Sequence, residues 1–169
     1  MISKKPLYVQ QPSSYVFLGV TMQIHLSGVQ TGDEFSLIGA TMPPGGDGGL
    51  HMHTREDESV HLLEGCLDVT IGEETFTMQA GQTYFAPRNI PHRLRNIGNV
   101  PARALLINTP GTFDRFVQIA GTPVSQDAST PGFPDLEQMQ RLLALAEEFE
   151  VHHVPDFDEN LRDEPQYRA

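Results

Sequence analysis

The residues of this chain whose types and spacing could do chemistry are His51 and His53, one residue apart, Glu58 shortly after them, and His92 further along. Side chains two apart on a β-strand leave the same face. If residues 50–54 are extended, His51 and His53 therefore project together. A carboxylate just after the pair, and a third imidazole near a sheet end, could bring one oxygen and one more nitrogen to the same point. Neutral imidazoles with one carboxylate suit a divalent transition metal (Fe, Mn, Ni, Co, Cu or Zn) and not Ca or Mg. A lone histidine is more often a surface or hydrogen-bonded residue than a ligand. The spacing is what lifts these four above that reading.

Gly45 is followed after five residues by His51, Met52 and His53, after four more by Glu58, and after six more by Gly65. Gly81 is followed after five residues by Pro87, Arg88 and Asn89, after two more by His92, and after three more by Asn96. The two runs resemble the paired signatures of the cupin superfamily, G-x(5)-H-x-H-x(3,4)-E-x(6)-G and G-x(5)-P-x-G-x(2)-H-x(3)-N. The first matches at every defined position. The second departs once, with Asn89 in place of glycine, and Asn is the residue after glycine that best tolerates a left-handed turn. The resemblance covers residues 15–110 and implies an all-β, jelly-roll barrel with His51, His53, Glu58 and His92 as metal ligands. Asp57 is the alternative oxygen ligand, because the family allows three or four residues in that gap. Glu58 is preferred because it alone keeps the six-residue step to Gly65.

The elements that must position these residues read as strands. Val16, Leu18, Val20, Met22, Ile24 and Leu26 alternate with more polar neighbours, which predicts one strand with a bend at Gly19. His25 falls on the polar face and matches no ligand motif. A turn at 30–33 leads to a second strand over 34–42, and residues 43–49 form a glycine-proline loop at the barrel mouth. Glu58, Val60 and Leu62 share a face, so His61 points away from the metal toward a sheet-packing or subunit surface. A hairpin is expected through residues 72–74, a short strand over 83–87, and a loop over 87–91 that delivers His92. Asn96 would orient backbone or a ligand partner, and residues 102–108 form the last core strand.

After Pro110 the pattern changes. Thr112 can cap a short helix carrying Phe113, Phe116, Val117 and Ala120, stopped at Gly121. A loop over 121–132 leads to Asp135, which with Gln138 has the form of a capping box. Leu136, Met139, Leu142, Leu143, Ala146 and Phe149 then make an apolar helical stripe, read as packing on the barrel or on a second subunit. The expected organisation is thus a barrel with an N-terminal arm over 1–110 and a C-terminal helical extension over 111–169. His152 and His153 are adjacent, do not share a strand face, and are discounted as ligands.

Composition bounds the partners. The formal charge is −11, from 22 acidic and 11 basic residues, which argues against binding phosphate backbones. Cys66 is the single cysteine, so no intrachain disulfide forms, and it reads as a small apolar strand residue. No signal peptide or membrane span is recognisable, so a cytoplasmic protein is expected. No nucleophile elbow, dinucleotide fingerprint or zinc-protease helix is found. The lead-in Thr31-Gly32-Asp33-Glu34-Phe35-Ser36-Leu37 and the helical extension resemble single-domain bacterial cupins related to quercetin-type dioxygenases. That resemblance implies a metal-dependent dioxygenase acting on a small aromatic or enol substrate, with Glu58 both ligand and proton acceptor. A non-enzymatic cupin that senses a small molecule, and a metal-dependent isomerase or hydrolase, are the alternatives. A homodimer is expected.

Overall fold

Branched and aromatic residues alternate with polar ones through most of the first 110 positions, the pattern of strands with one buried face. The computed structural model describes residues 11–124 and 136–154. The elements are β1 (Ser13–Phe17), β2 (Val20–Leu26), α1 (Gly28–Thr31), β3 (Ser36–Met42), β4 (His51–His53), β5 (Asp57–Glu64), β6 (Cys66–Ile71) and β7 (Glu74–Gln79). They continue with β8 (Thr83–Ala86), β9 (His92–Arg95), β10 (Ala102–Thr109), α2 (Phe113–Ala120), β11 (Thr122–Pro123), α3 (Leu136–Glu148) and β12 (Val151–His153). Among the described residues they form two antiparallel sheets, β11-β1-β2-β3-β10-β5-β8 and β12-β4-β9-β6-β7. This is the expected strand-rich, two-sheet architecture with a helical extension. Among the described residues no helix is long and apolar enough to cross a membrane.

The core lies between the sheets. Ile38, Val60 and Leu62 from the larger sheet and Leu67, Val69 and Met78 from the smaller one are buried in a single cluster. Register places the site residues: β5 pairs with β10 and β8, setting Glu58 opposite Asn108 and Ala86. The smaller sheet sets His51 opposite His92, across β4 and β9. On the outer face of the larger sheet, Ser59 lies between Ile107 and Phe85, and both apolar side chains remain partly exposed.

Three local expectations are corrected. The strand expected from Val16 to Leu26 is a hairpin, because Leu18 and Gly19 both take positive φ (50° and 75°) and reverse the chain. Alternation survives the reversal, but Phe17 now pairs with Val20 and shares its face, while Val16 pairs with Thr21. The turn expected at 30–33 is the one-turn helix α1, closed by a reciprocal Ser27–Gln30 capping box and stopped by Gly32 in the left-handed region. Thr112 sits at the expected start of α2, yet its hydroxyl makes no cap bond and is used elsewhere. The Asp135–Gln138 capping box lies outside the described residues, as do the N-terminal arm over 1–10 and the acidic stretch after 154.

Helix α2 is anchored where two glycines let backbones touch. A Cβ at Gly28 would lie 1.7 Å from the Gly111 carbonyl oxygen, and one at Gly111 would lie 2.3 Å from the Phe35 carbonyl carbon. The buried Asp114 carboxylate accepts the Gly28 N–H at 3.2 Å and completes the anchor. Gly28→Ala is therefore expected to destabilise the fold by about 2 kcal/mol or more. Gly32→Ala, with nothing within 4 Å and only a left-handed φ of 72° to accommodate, should cost about 1 kcal/mol. Urea unfolding of the two variants checks this, and equal losses would contradict it.

Candidate metal centre

Strand β4 is three residues long, and its alternation sends His51 and His53 to the interior while Met52 turns outward. Strand β9 delivers His92 to the same interior, directly across from His51. Asn89, at φ 66°, makes the left-handed turn before it, and its N–H donates to the His53 carbonyl at 2.7 Å. The loop at the barrel mouth is held by Asn96. Its side-chain amide donates to the Met42 and Val100 carbonyls, both at 2.9 Å, and its backbone exchanges hydrogen bonds with Gly45 and Gly46. The expectation that Asn96 orients backbone is met.

Each imidazole is fixed through Nδ1. His51 Nδ1 lies 3.0 Å from the Gly49 carbonyl and His92 Nδ1 lies 3.0 Å from the Ile90 carbonyl. His53 Nδ1 lies 3.0 Å from a carboxylate oxygen of Glu56. A carbonyl oxygen can only accept, so His51 and His92 carry their hydrogen on Nδ1 and a lone pair on Nε2, and His53 does the same where the Glu56 carboxylate accepts from it. The buried Nε2 atoms of His53 and His92 have no hydrogen-bond partner. The three rings gather, with one donor atom from each lying within 4.8 Å of the others. Among the described residues these three histidines are the group whose donor atoms gather closely enough to hold a metal ion, and Glu58 is not part of it. Buried nitrogens with their lone pairs turned inward and unsatisfied are what a ligand set requires.

Glu58 lies beside this group, buried, with Oε1 3.6 Å from His92 Nε2. Tyr84 donates its hydroxyl to Glu58 Oε1 at 2.7 Å, and Asn108 donates its amide to Oε2 at 3.3 Å. Asp57, the alternative oxygen, faces outward and pairs with Arg88 at 2.8 Å. His61 also faces outward, against the Thr83 hydroxyl at 2.8 Å. His25 is exposed.

Glu56 is the residue that sequence reasoning missed. It is 1 % exposed and spends one carboxylate oxygen on His53. The other accepts the Thr112 backbone N–H at 3.0 Å and the Thr112 hydroxyl. This is where the hydroxyl expected to cap α2 is used. Glu56 thus couples an imidazole of the cluster to the start of α2. In the sequence it stands in a polar run, Thr54-Arg55-Glu56-Asp57, with no periodicity to mark it as buried.

The electrostatics favour neutral imidazoles at His51 and His92 beside an ionised Glu58. Burial disfavours the charged form of His51, the neighbouring His92 and His53 add to that, and its pKa falls from 6.5 to about 3. Burial also lowers His92. Burial alone would raise Glu58, but His92, His53, His51 and the Tyr84 hydrogen bond outweigh it and hold the carboxyl at about 2. Burial and the Glu58 carboxylate push Tyr84 well above 10, so its hydroxyl stays a donor. Both kinds of shift act in one direction on stability. The unfolded chain takes up a proton at His51 below pH 6.5 and at Glu58 below 4.5, whereas the folded chain does so only near 3 and 2. The unfolded state therefore binds more protons across this window, and stability falls with falling pH. Chelator-treated protein should lose melting temperature from about pH 6.5 downward and more steeply below about pH 4.5. His51→Ala should flatten the upper part of that fall. A melting temperature level between pH 7 and 4 would contradict the assignment.

Comparison with known proteins agrees with this geometry. Residues 40–108 match the family described as the cupin domain. An uncharacterised protein of Methanocaldococcus jannaschii is 35% identical over 82 residues, which are 48% of this chain and 66% of that protein. Polyketide synthase CurC of Streptomyces cyaneus is 33% identical over 93 residues, 54% of this chain and 60% of that protein. The chain thus spans less than two thirds of the length of either relative. Among solved structures, an RmlC-like cupin from Shewanella frigidimarina superposes with a TM-score of 0.54 at 18% identity, covering 63% of this chain and 89% of that one. At that identity the likeness speaks to the fold alone. The two-sheet fold, both sequence signatures and the family match agree that residues 40–108 of this chain are a cupin domain.

Proposed function

We propose that the protein holds one divalent transition metal on His51, His53, His92 and Glu58 and acts as a dioxygenase on a small aromatic or enol substrate. The observation that supports the metal reading is the set of three Nδ1-anchored imidazoles whose donor atoms gather, the buried Nε2 atoms of His53 and His92 having no hydrogen-bond partner. Fe, Mn, Ni, Co, Cu and Zn all accept three nitrogens and one oxygen. When bound there, such a metal would supply Lewis-acid and redox chemistry toward a substrate oxygen.

The chain's own residues supply the rest. Glu58 stays ionised and can accept a proton from a substrate hydroxyl, while Tyr84 and Asn108 hold the carboxylate in place. A cavity of about 260 Å³ reaches His51 and Glu58, with Met22, Leu94 and Leu106 among its walls. Met22 and Leu94 line it, whereas Ile24, Val60 and Leu62 are buried core. Apolar walls exclude water from the reacting end and suit a ring. A relative from Streptomyces cyaneus carries the name polyketide synthase, and a ring built from a polyketide would fit these walls.

His51→Ala or His53→Ala should remove most of the bound metal, measured by elemental analysis, while His61→Ala retains it. Protein loaded anaerobically with Fe(II) or Ni(II) should then consume oxygen when given a flavonol. No uptake with any of the metals would reject the dioxygenase, and retained tight flavonol binding would then favour a sensor.

Glu56→Gln tests the tautomer. Its amide oxygen would turn to the two Thr112 donors and its NH₂ to His53, pushing a hydrogen onto Nε2. Metal affinity should fall about 10- to 100-fold with the fold intact, read by competition with a chelator. Unchanged affinity would show that Glu56 serves packing only.

A further inference from the structure

The cavity draws on a part of the chain beyond the matched cupin stretch. Met139, Leu142, Leu143 and Ala146 of α3 line it, and they stand at i, i+3, i+4 and i+7, one face of a helix. Strand β12 then pairs with β4, setting Val151 opposite His53 and His153 opposite His51. Residues directly opposite on antiparallel strands share a face, so Val151 and His153 turn to the cavity and line it as well. His153 remains outside the trio whose donor atoms gather.

The cavity is polarised. Its ionisable lining residues are Asp47, His51, Glu58 and His153, and no Lys or Arg is among the described residues that line it. Asp47 is already neutralised by Arg93 and lies 3.5 Å from Arg95. His153 sits across from His51, so polar groups collect around β4. Elsewhere the walls are Phe17, Phe113 and Phe116 with the methionines Met22, Met42 and Met139. Aromatic edges and thioethers favour a flat ring. They offer nothing to a charge or to several hydroxyls, each of which would be buried unpaired. The volume, about 260 Å³, lies just under the range of roughly 300–1,000 Å³ usual for ligand pockets.

We propose that α3 and β12 form the ligand-selecting wall of this cavity, and that the ligand is a compact ring molecule with one oxygen-bearing end at the β4 imidazoles and an uncharged apolar body against α3. This rests on the metal reading for what the oxygen end meets. The apolar end rests on the cavity alone. A sugar phosphate, or any ligand with charge on its body, is excluded by the same walls.

The probes are 2-naphthol and 6-hydroxynaphthalene-2-sulfonate, which share a ring and a hydroxyl and differ by a charge at the far end. Binding is followed anaerobically by naphthol fluorescence, with chelator-treated and with Zn(II)-loaded protein. 2-Naphthol should bind at least tenfold more tightly than the sulfonate. Leu142→Trp should weaken 2-naphthol at least tenfold with bound zinc unchanged, whereas Leu136→Trp, at a position 76% exposed, should leave it alone. Should Leu142→Trp fail to fold by its melting curve, Met139→Trp fills the same wall. Equal binding of both probes, or 2-naphthol binding untouched in the folded wall variant, would overturn the proposal. Neither result bears on metal content or oxygen uptake, so this inference and the dioxygenase reading fail separately.

Discussion

Three ring hydrogens decide what this barrel can do. Each imidazole of the cluster spends its Nδ1–H on an acceptor that cannot move: two backbone carbonyls next to the histidines themselves and one buried carboxylate. A neutral imidazole has one hydrogen and one lone pair, so fixing the hydrogen outward fixes the lone pair inward. Gly49 and Ile90 each precede their histidine by two residues, so short local turns do the fixing at His51 and His92. His53 has no such turn and depends on Glu56. The arrangement leaves buried nitrogens unsatisfied, a cost that a fold retains only where something occupies the place.

The two sheets serve that constraint. β4 and β9 bring the imidazoles together from the smaller sheet, while β5 carries Glu58 across from the larger one. Glu58 is held from both sides, by Tyr84 of β8 and Asn108 of β10. Its partners are its register neighbours or lie close to them, since Asn108 stands directly opposite it and Tyr84 two residues from Ala86. A one-residue slip of β5 would exchange Glu58 for Asp57 and carry the carboxylate to the surface. The Asp57–Arg88 pair on the outside and the core residues Val60 and Leu62 on the inside both oppose that slip.

Much of this was legible from residue order. The His51–His53 pair follows from a period of two, Glu58 over Asp57 follows from the spacing to Gly65, and the tolerance of Asn at position 89 is a known property of that side chain. What lay hidden has physical reasons. The hairpin at Leu18 and Gly19 escaped notice because a two-residue reversal preserves alternation, so one long strand and two short ones write the same pattern. Glu56 was hidden because its partners are 3 and 56 residues away, and a buried acid in a polar run has no periodic signal. The adjacency of His152 and His153 does separate their faces. It did not show that β12 would lie against β4 and turn His153 to the cavity, because three residues are too few to announce a strand. The apolar stripe of the C-terminal helix predicts packing; Ala146 is buried and Leu142 and Phe149 pack against the core, but Leu136 stands exposed, and one face of the helix also walls the cavity.

The central claim is that three Nε2 atoms and one carboxylate oxygen surround a single ion. X-ray absorption at the metal edge of zinc-loaded protein measures that shell directly. The account predicts nitrogen and oxygen neighbours at about 2.0–2.2 Å with no sulfur, and outer-ring scattering from three imidazoles. Replacing Glu58 with alanine should leave the three-imidazole signal in place. A shell with fewer than three imidazoles, or one dominated by water oxygens, would contradict it.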